Sequence, residues 1–232
     1  MPRTATDHLT ETRRRLIDAA GPVFVEHGLE GATVRDICRR AGANIAAVNY
    51  HFGDKRGLYR ATFEHHFQEG MRRHPPDEGV CDRDPPELRL KVFIRSFFHR
   101  LFSRGGPEWF AQLMLREMIR PTGVLDALVD GQMHRTRDLL SAIVREIVGR
   151  RLTDRQLFHA CCSVVSQVVF HKHCTPIIRR MWPAQGYSPD DIELLADHVW
   201  RFTLAGLEAM RPRINRPGRA RIRTPAGGRS KP

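Results

Sequence analysis

The 232-residue chain lacks any continuous apolar run of about 18 residues, so no membrane-spanning helix and no membrane partner are expected. Its longest apolar-rich stretch, Phe158–Phe170, is interrupted by His159, Ser163, Ser166 and Gln167. No segment alternates apolar and polar residues with period two over a useful length, which excludes a half-exposed sheet. The cysteines at 38, 81, 161, 162 and 174 form no C-x-x-C pair, and their odd number argues against a disulfide framework. There is no G-x-S-x-G, P-loop, H-E-x-x-H or dinucleotide fingerprint, so neither an enzyme nor a cofactor is expected. The opening residues, MPRTATDHLTETRRR, hold no apolar secretory segment, and the expected location is the cytoplasm.

Acidic residues are missing from one place in particular. Residues 211–232 carry eight Lys/Arg and no Asp/Glu, whereas residues 61–210 are nearly balanced at +1 and residues 1–60 stand at +3. The formal charge of +12 is therefore concentrated at the two ends, where it could meet phosphate. The tail has no apolar periodicity and is expected to be disordered.

What is present is helical throughout. Thr10 or Thr12 is placed to cap a first helix that reaches His27 and stops at Gly28, with Pro22 as an awkward interior residue. Thr33 caps a second helix over residues 34–40. Gly42 then supplies a left-handed turn, and Asn44 caps a short third helix over residues 45–52. That third helix is polar and almost uncharged. Val48 and Phe52 fall on its inner side, and Asn44, Ile45, Ala47, Asn49, Tyr50 and His51 face outward or sideways. Such a helix is a poor core element but a suitable probe of the DNA major groove, where Asn pairs with adenine and small apolar groups meet thymine methyls. Asp54 caps a fourth helix from Lys55 to about Arg73. Helix, tight turn and short helix make a helix-turn-helix unit.

Residues 74–86 (HPPDEGVCDRDPP) read as a loop. Further helices are expected over residues 87–103, 107–120 and 122–149, then from a Thr153 cap to Cys174, with a break at Thr175-Pro176, and from Ser188-Pro189 to Met210.

The run RLIDAA…F…HG…GATVRDICRRAGANIAAVNYHFGDKRGLY resembles the DNA-binding domain of TetR-family transcriptional regulators. NIAAVNYHFGDK followed by LMLREMIRP at 113–121 is further similar to the CerR/CecR-type branch. Gly21-Pro22 departs from the family, whose members usually keep good helix formers there. The resemblance implies an all-α homodimer, normally a repressor, that binds a near-palindromic double-stranded operator and is released by a small-molecule effector. It also implies a helix-turn-helix domain at 10–56 and an effector-binding and dimerisation domain at 57–210, followed by the basic tail already read at 211–232. By position, Thr33, Tyr50, His51 and Lys55 would hold phosphates, while Asn44, Ile45, Ala47 and Asn49 would approach base edges. Phe67, Phe97, Trp109, Leu113, Arg116, Glu117, Met133 and Phe170 are candidates for an effector pocket, the alternative being ordinary core. Val164, Val168, Leu195, Val199, Phe202 and Leu207 fit a four-helix dimer seam.

The sequence leaves two other classes open: an architectural DNA binder that uses the basic tail without a ligand, and a helical enzyme with a His-rich C-terminal domain. The cluster His171-Lys172-His173-Cys174 suggests a metal, with His159 and Cys161-Cys162 upstream. Twelve residues of helix, about 18 Å, keep His159 and His171 from sharing an ion. A local site would need His171 and Cys174 plus a ligand such as His65 or His66, and no metal site is expected. Nothing near Cys161-Cys162 is basic enough to favour a thiolate.

Overall fold

The computed structural model describes residues 5–102, 107–124, 126, 131, 133–149 and 152–211, with side chains from residue 10 onward. Among these residues every regular element is a helix. The N-terminal part comprises α1 (Ala5–Gly31), α2 (Val34–Ala41), α3 (Ile45–Phe52) and α4 (Lys55–Arg73). The C-terminal part comprises α5 (Pro86–Phe102), α6 (Glu108–Ile119), α7 (His134–Val148), α8 (Asp154–His173), α9 (Thr175–Met181) and α10 (Pro189–Ala209). No helix among the described residues is long and apolar enough to cross a membrane.

Helix ends follow local chemistry. The Oγ1 of Thr33 accepts from the Asp36 amide, Asn44 from Ala46 and Asp54 from Gly57. Thr153 with Gln156 and Ser188 with Asp191 form reciprocal capping boxes. Each cap is worth about 1 kcal/mol. Gly42 takes the left-handed conformation (φ 60, ψ 41) that turns α2 toward α3. Neither Thr10 nor Thr12 is a cap, because α1 begins earlier. Thr12 Oγ1 instead accepts from Arg15, and Glu11–Arg14–Asp18 ion pairs run along the helix surface. The helix passes through Pro22 and breaks at Gly28 (φ 71, ψ 179), followed by a last turn to Gly31.

Two apolar cores result. The first gathers Leu16, Ile17, Phe24, Ile37, Val48, Leu58, Tyr59 and Phe63, together with Leu113 from α6. The second gathers Leu90, Phe93, Ile94 and Phe98 of α5 with Ile143, Val144 and Ile147 of α7, Val164 and Val168 of α8, and Val199 and Leu207 of α10. The first core therefore runs well past residue 56 and draws on α4 and α6.

Four residues expected at a dimer seam belong to the second core. Val164, Val168, Val199 and Leu207 are buried within the single chain, and Leu195 packs partly against the same cluster. Apolar residues stand on more than one face of α8 and α10, and the face turned to α5 and α7 claims these side chains. Phe202 does point outward, at 67% exposure. The long pattern expected over residues 122–149 is ordered helix from His134 to Val148. Residues 125, 127–130 and 132 within that pattern, Gly105-Gly106, and the tail from 212 to 232 lie outside the described residues.

Candidate nucleic-acid interface and effector cavity

The outward face of α3 is formed by Ile45, Ala46, Asn49 and Tyr50, which are all exposed, Tyr50 at 72%. These are two i, i+4 pairs, 45/49 and 46/50, side by side on one surface. Val48 anchors the helix from beneath at 0% exposure, and Phe52 is half-buried under the Arg13 guanidinium, 5.5 Å from the ring centroid. Ala47, expected at the bases, is half-buried and packs on the first core. Ala46 takes the outward place instead, a position legible as the i−4 neighbour of Tyr50.

Asn44 is exposed, and its side-chain oxygen serves the cap, which leaves the amide NH2 as a donor. Tyr50 packs edge-on against His51, with centroids 4.9 Å apart. Burial, with Arg13 nearby, lowers the His51 imidazole below its ordinary value, so it is neutral at pH 7. A neutral His donates a hydrogen bond to phosphate rather than a full charge.

Thr33 and Lys55 hold the head together. The Thr33 hydroxyl donates to the Asp36 carboxylate at 2.7 Å while accepting from its amide. Lys55 Nζ donates to the carbonyls of Glu30 and Ala32 at 2.9 and 3.0 Å, closing the C-terminal end of α1. One of its three hydrogens remains for a further acceptor. At the other end of α3, a Cβ on Gly57 would collide with the Phe52 carbonyl, so α4 can leave α3 this tightly only with glycine there.

Between the two cores lies an open cavity of about 2160 Å³. Asp18, His66, Trp109 and Phe110 contribute from the first side, and Phe93, Phe97, Leu157 and Val165 from the second. Of the residues expected in a pocket, Phe67, Phe97, Trp109 and Met133 line it. Four do not. Leu113 is fully buried in the first core, and Phe170 is 56% exposed on the outside of α8. Arg116 donates to the Val25 carbonyl at 3.0 Å, against the break at Gly28, where a Cβ would meet its guanidinium. Glu117, at 0% exposure, accepts from the Tyr59 hydroxyl at 2.8 Å and from the amide and hydroxyl of Thr122 at 2.6 and 2.8 Å. Burial and the Glu117 carboxyl push the Tyr59 phenol upward, so it remains a donor.

The charged pair on α6 is thus a strut: one member grips α1, the other α4. The Trp109 indole of the same helix sits directly on Gly21, where any Cβ would overlap it. That seat accounts for glycine beside Pro22.

The wall also carries two cationic groups not expected at a pocket from the sequence, Arg100 and Lys172. Arg100 donates to the His74 carbonyl and to Ser96 Oγ, both at 2.7 Å, and burial lowers it to about 10. Lys172 lies over the Phe102 ring at 5.0 Å, and burial lowers its ammonium too. Arg100 and Ser96, which donates to the carbonyls of His74 and Pro75, together tie the end of α4 to α5.

Residues 16–62 match the family described as bacterial regulatory proteins, tetR family, and residues 86–207 match the C-terminal domain of the HTH-type transcriptional dual regulator CecR. CecR of Shigella flexneri is 47% identical over 204 residues, covering 82% of this chain and 88% of that protein. The transcriptional regulator SrpR of Pseudomonas putida is 37% identical over 163 residues, 68% of either chain. In fold, FadR of Bacillus subtilis, solved in complex with stearoyl-CoA, aligns at a TM-score of 0.59 with 18% identity, over 83% of this chain and 98% of that one. Helical fold, capped reading head and sequence similarity across both parts agree: the chain belongs to the TetR family of DNA-binding transcriptional regulators, a non-enzymatic family, and carries a CecR-type C-terminal domain.

Proposed function

We propose that the chain is a repressor that binds a near-palindromic operator as a homodimer and leaves it when a small molecule enters the cavity between the two cores. The observation that carries this reading is the position of α4. Its first turns belong to the reading head, its middle contributes His66 and Phe67 to the cavity wall, and its end is tied to α5. A ligand that prefers one spacing of the cores shifts the population of head positions.

On DNA, Asn44, Ile45, Ala46 and Asn49 address base edges, with Ala47 at the margin. Tyr50, His51, Lys55 and the amide end of α2 behind Thr33 meet phosphates. In the dimer, the outward faces of α8 and α10 form the seam. Leu194, His198, Phe202, Ala205 and Gly206 recur there at helical spacing and are all exposed. Two heads then stand about 34–36 Å apart, one turn of DNA. The domain division at residue 56 describes the reading unit, although the packing unit is larger. The effector matching these walls is amphipathic: an apolar body for Phe93, Phe97, Trp109 and Phe110, and an anionic group for Lys172 or Arg100.

The test is fluorescence anisotropy of the full chain on its own upstream DNA at two salt concentrations, against a random duplex and with an Asn49→Ala/Tyr50→Ala variant. Sequence preference that the variant loses supports the reading. Equal, salt-sensitive binding of both duplexes by both proteins overturns it.

A further inference from the structure

At the head side of the cavity, three side chains from two helices converge. Asp18 of α1 and His65 and His66 of α4 present one ligand atom each, all within 4.8 Å of one another. The His66 side chain is 9% exposed, and its Nε2 has no hydrogen-bond partner. The nearest acidic atom, Asp18 Oδ1, is 4.0 Å away. The ring is held in place by Trp109, packed edge-on with centroids 4.7 Å apart, and by Phe110 at 5.9 Å. A buried nitrogen without a partner costs about 1–3 kcal/mol. That nitrogen lies within 4.8 Å of ligand atoms of both Asp18 and His65.

Two imidazoles and one carboxylate are a donor set for a borderline divalent ion such as zinc, nickel or copper, not for calcium or magnesium, which take all-oxygen shells. Bonds of about 2.0–2.1 Å require tetrahedral donors about 3.3 Å apart, so each pair must close by about 1.5 Å at most. Asp18 and His65 can make that movement. Asp18 is exposed and engaged only loosely by Arg14 at 3.9 Å, and His65 is half-buried at the rim.

We infer that Asp18, His65 and His66 form a binding site for a divalent transition-metal ion that clamps α1 to α4 and leaves its remaining coordination position facing the cavity. The site uses neither His171 nor Cys174, the centre of the grouping read from sequence, and takes from it only His65 and His66, there named as further ligands. Metal binding does not depend on the operator reading above. A regulatory consequence does depend on it, because α4 is the helix that carries the head.

The experiment is calorimetric titration of the full chain with Zn2+ in the presence of a competing chelator, with thermal unfolding followed with and without the ion. Asp18→Asn and His65→Gln change side chains that are not core, so both variants should fold; His66→Gln completes the set. The expected result is one ion per chain, with affinity about tenfold or more weaker in each variant. Zn2+ should raise the melting temperature of the parent and not of the variants. Unchanged affinity and stoichiometry in Asp18→Asn and His65→Gln would overturn the site. A visible Co2+ spectrum of tetrahedral type, lost in His65→Gln, supports it by a route independent of stability. If Zn2+ binds this way yet operator affinity does not respond, the site stands and its regulatory role falls.

Discussion

The two cores are built by different means. Around the first core, side chains bond backbone at set points: Thr33 and Asn44 cap the eight-residue α2 and α3, Asp54 caps α4, and Lys55 and Arg116 grip the backbone of the longer α1. Around the second core α8 and α10 also begin with capping boxes, but the helices are held to one another along their faces, by Leu90, Phe93, Phe98, Ile143 and Val164 packed side to side. Point contacts specify an angle, and so suit a unit that, on the function proposed above, presents four side chains to a groove. Face contacts specify a separation only as well as the side chains fill it, and they leave room for the cavity. Position is invested in the head and volume in the body.

This contrast can be broken or sharpened by substitution. The largest effect is expected at Glu117. Replacing it with Ala removes the acceptor of three hydrogen bonds and strands the buried Tyr59 Oη and the half-buried Thr122 amide, at a cost of about 3–5 kcal/mol in urea unfolding. A cost below about 1 kcal/mol would show that α6 does not hold the head by point contact. Next come Val164→Ala and Val199→Ala, each expected to cost about 1–3 kcal/mol through cavity formation in the body. Their counterpart is Phe202→Ala, expected to leave chain stability nearly unchanged while weakening self-association in sedimentation equilibrium. The reverse pattern would return the seam to the buried face. Thr33→Ala should cost about 1 kcal/mol, the value of one cap. Tyr50→Ala should change stability by less than about 0.5 kcal/mol, because the side chain is 72% exposed, yet weaken operator binding. A thermal melt and an anisotropy titration on the same sample separate those two readouts.

The same contrast explains which features were legible in the sequence. A cap is decided within four residues, so Thr33, Gly42, Asn44, Asp54, Thr153 and Ser188 declared themselves, and the bounds of α3 and α4 followed. Thr10 and Thr12 misled because a good cap residue is equally at ease on an exposed helix surface when the helix starts earlier. The faces of α8 and α10 were not legible. Val164 and Phe202 look alike in a periodic pattern, and only the presence of α5 and α7 decides which is covered. Arg116-Glu117 was visible as an anomaly, two charges in an apolar run. Their partners were not, since Val25 lies 91 residues from Arg116 and Tyr59 lies 58 from Glu117. The Asp18–His65–His66 grouping was hidden for the same reason: two members are adjacent, while the third arrives from another helix.

Trp109 resting on Gly21 has a practical consequence for anyone exchanging reading heads between regulators of this shape. A chimaera cut at residue 56 would keep the indole, Leu113 and the α6 strut while replacing the α1 they were shaped against. Where the donor helix offers Ala or Leu in place of Gly21, the indole must leave its seat and move toward the cavity it lines. The transferable cassette is therefore discontinuous: α1 to α4 together with α6, a segment that lies after α5 in the chain but belongs to the head in space.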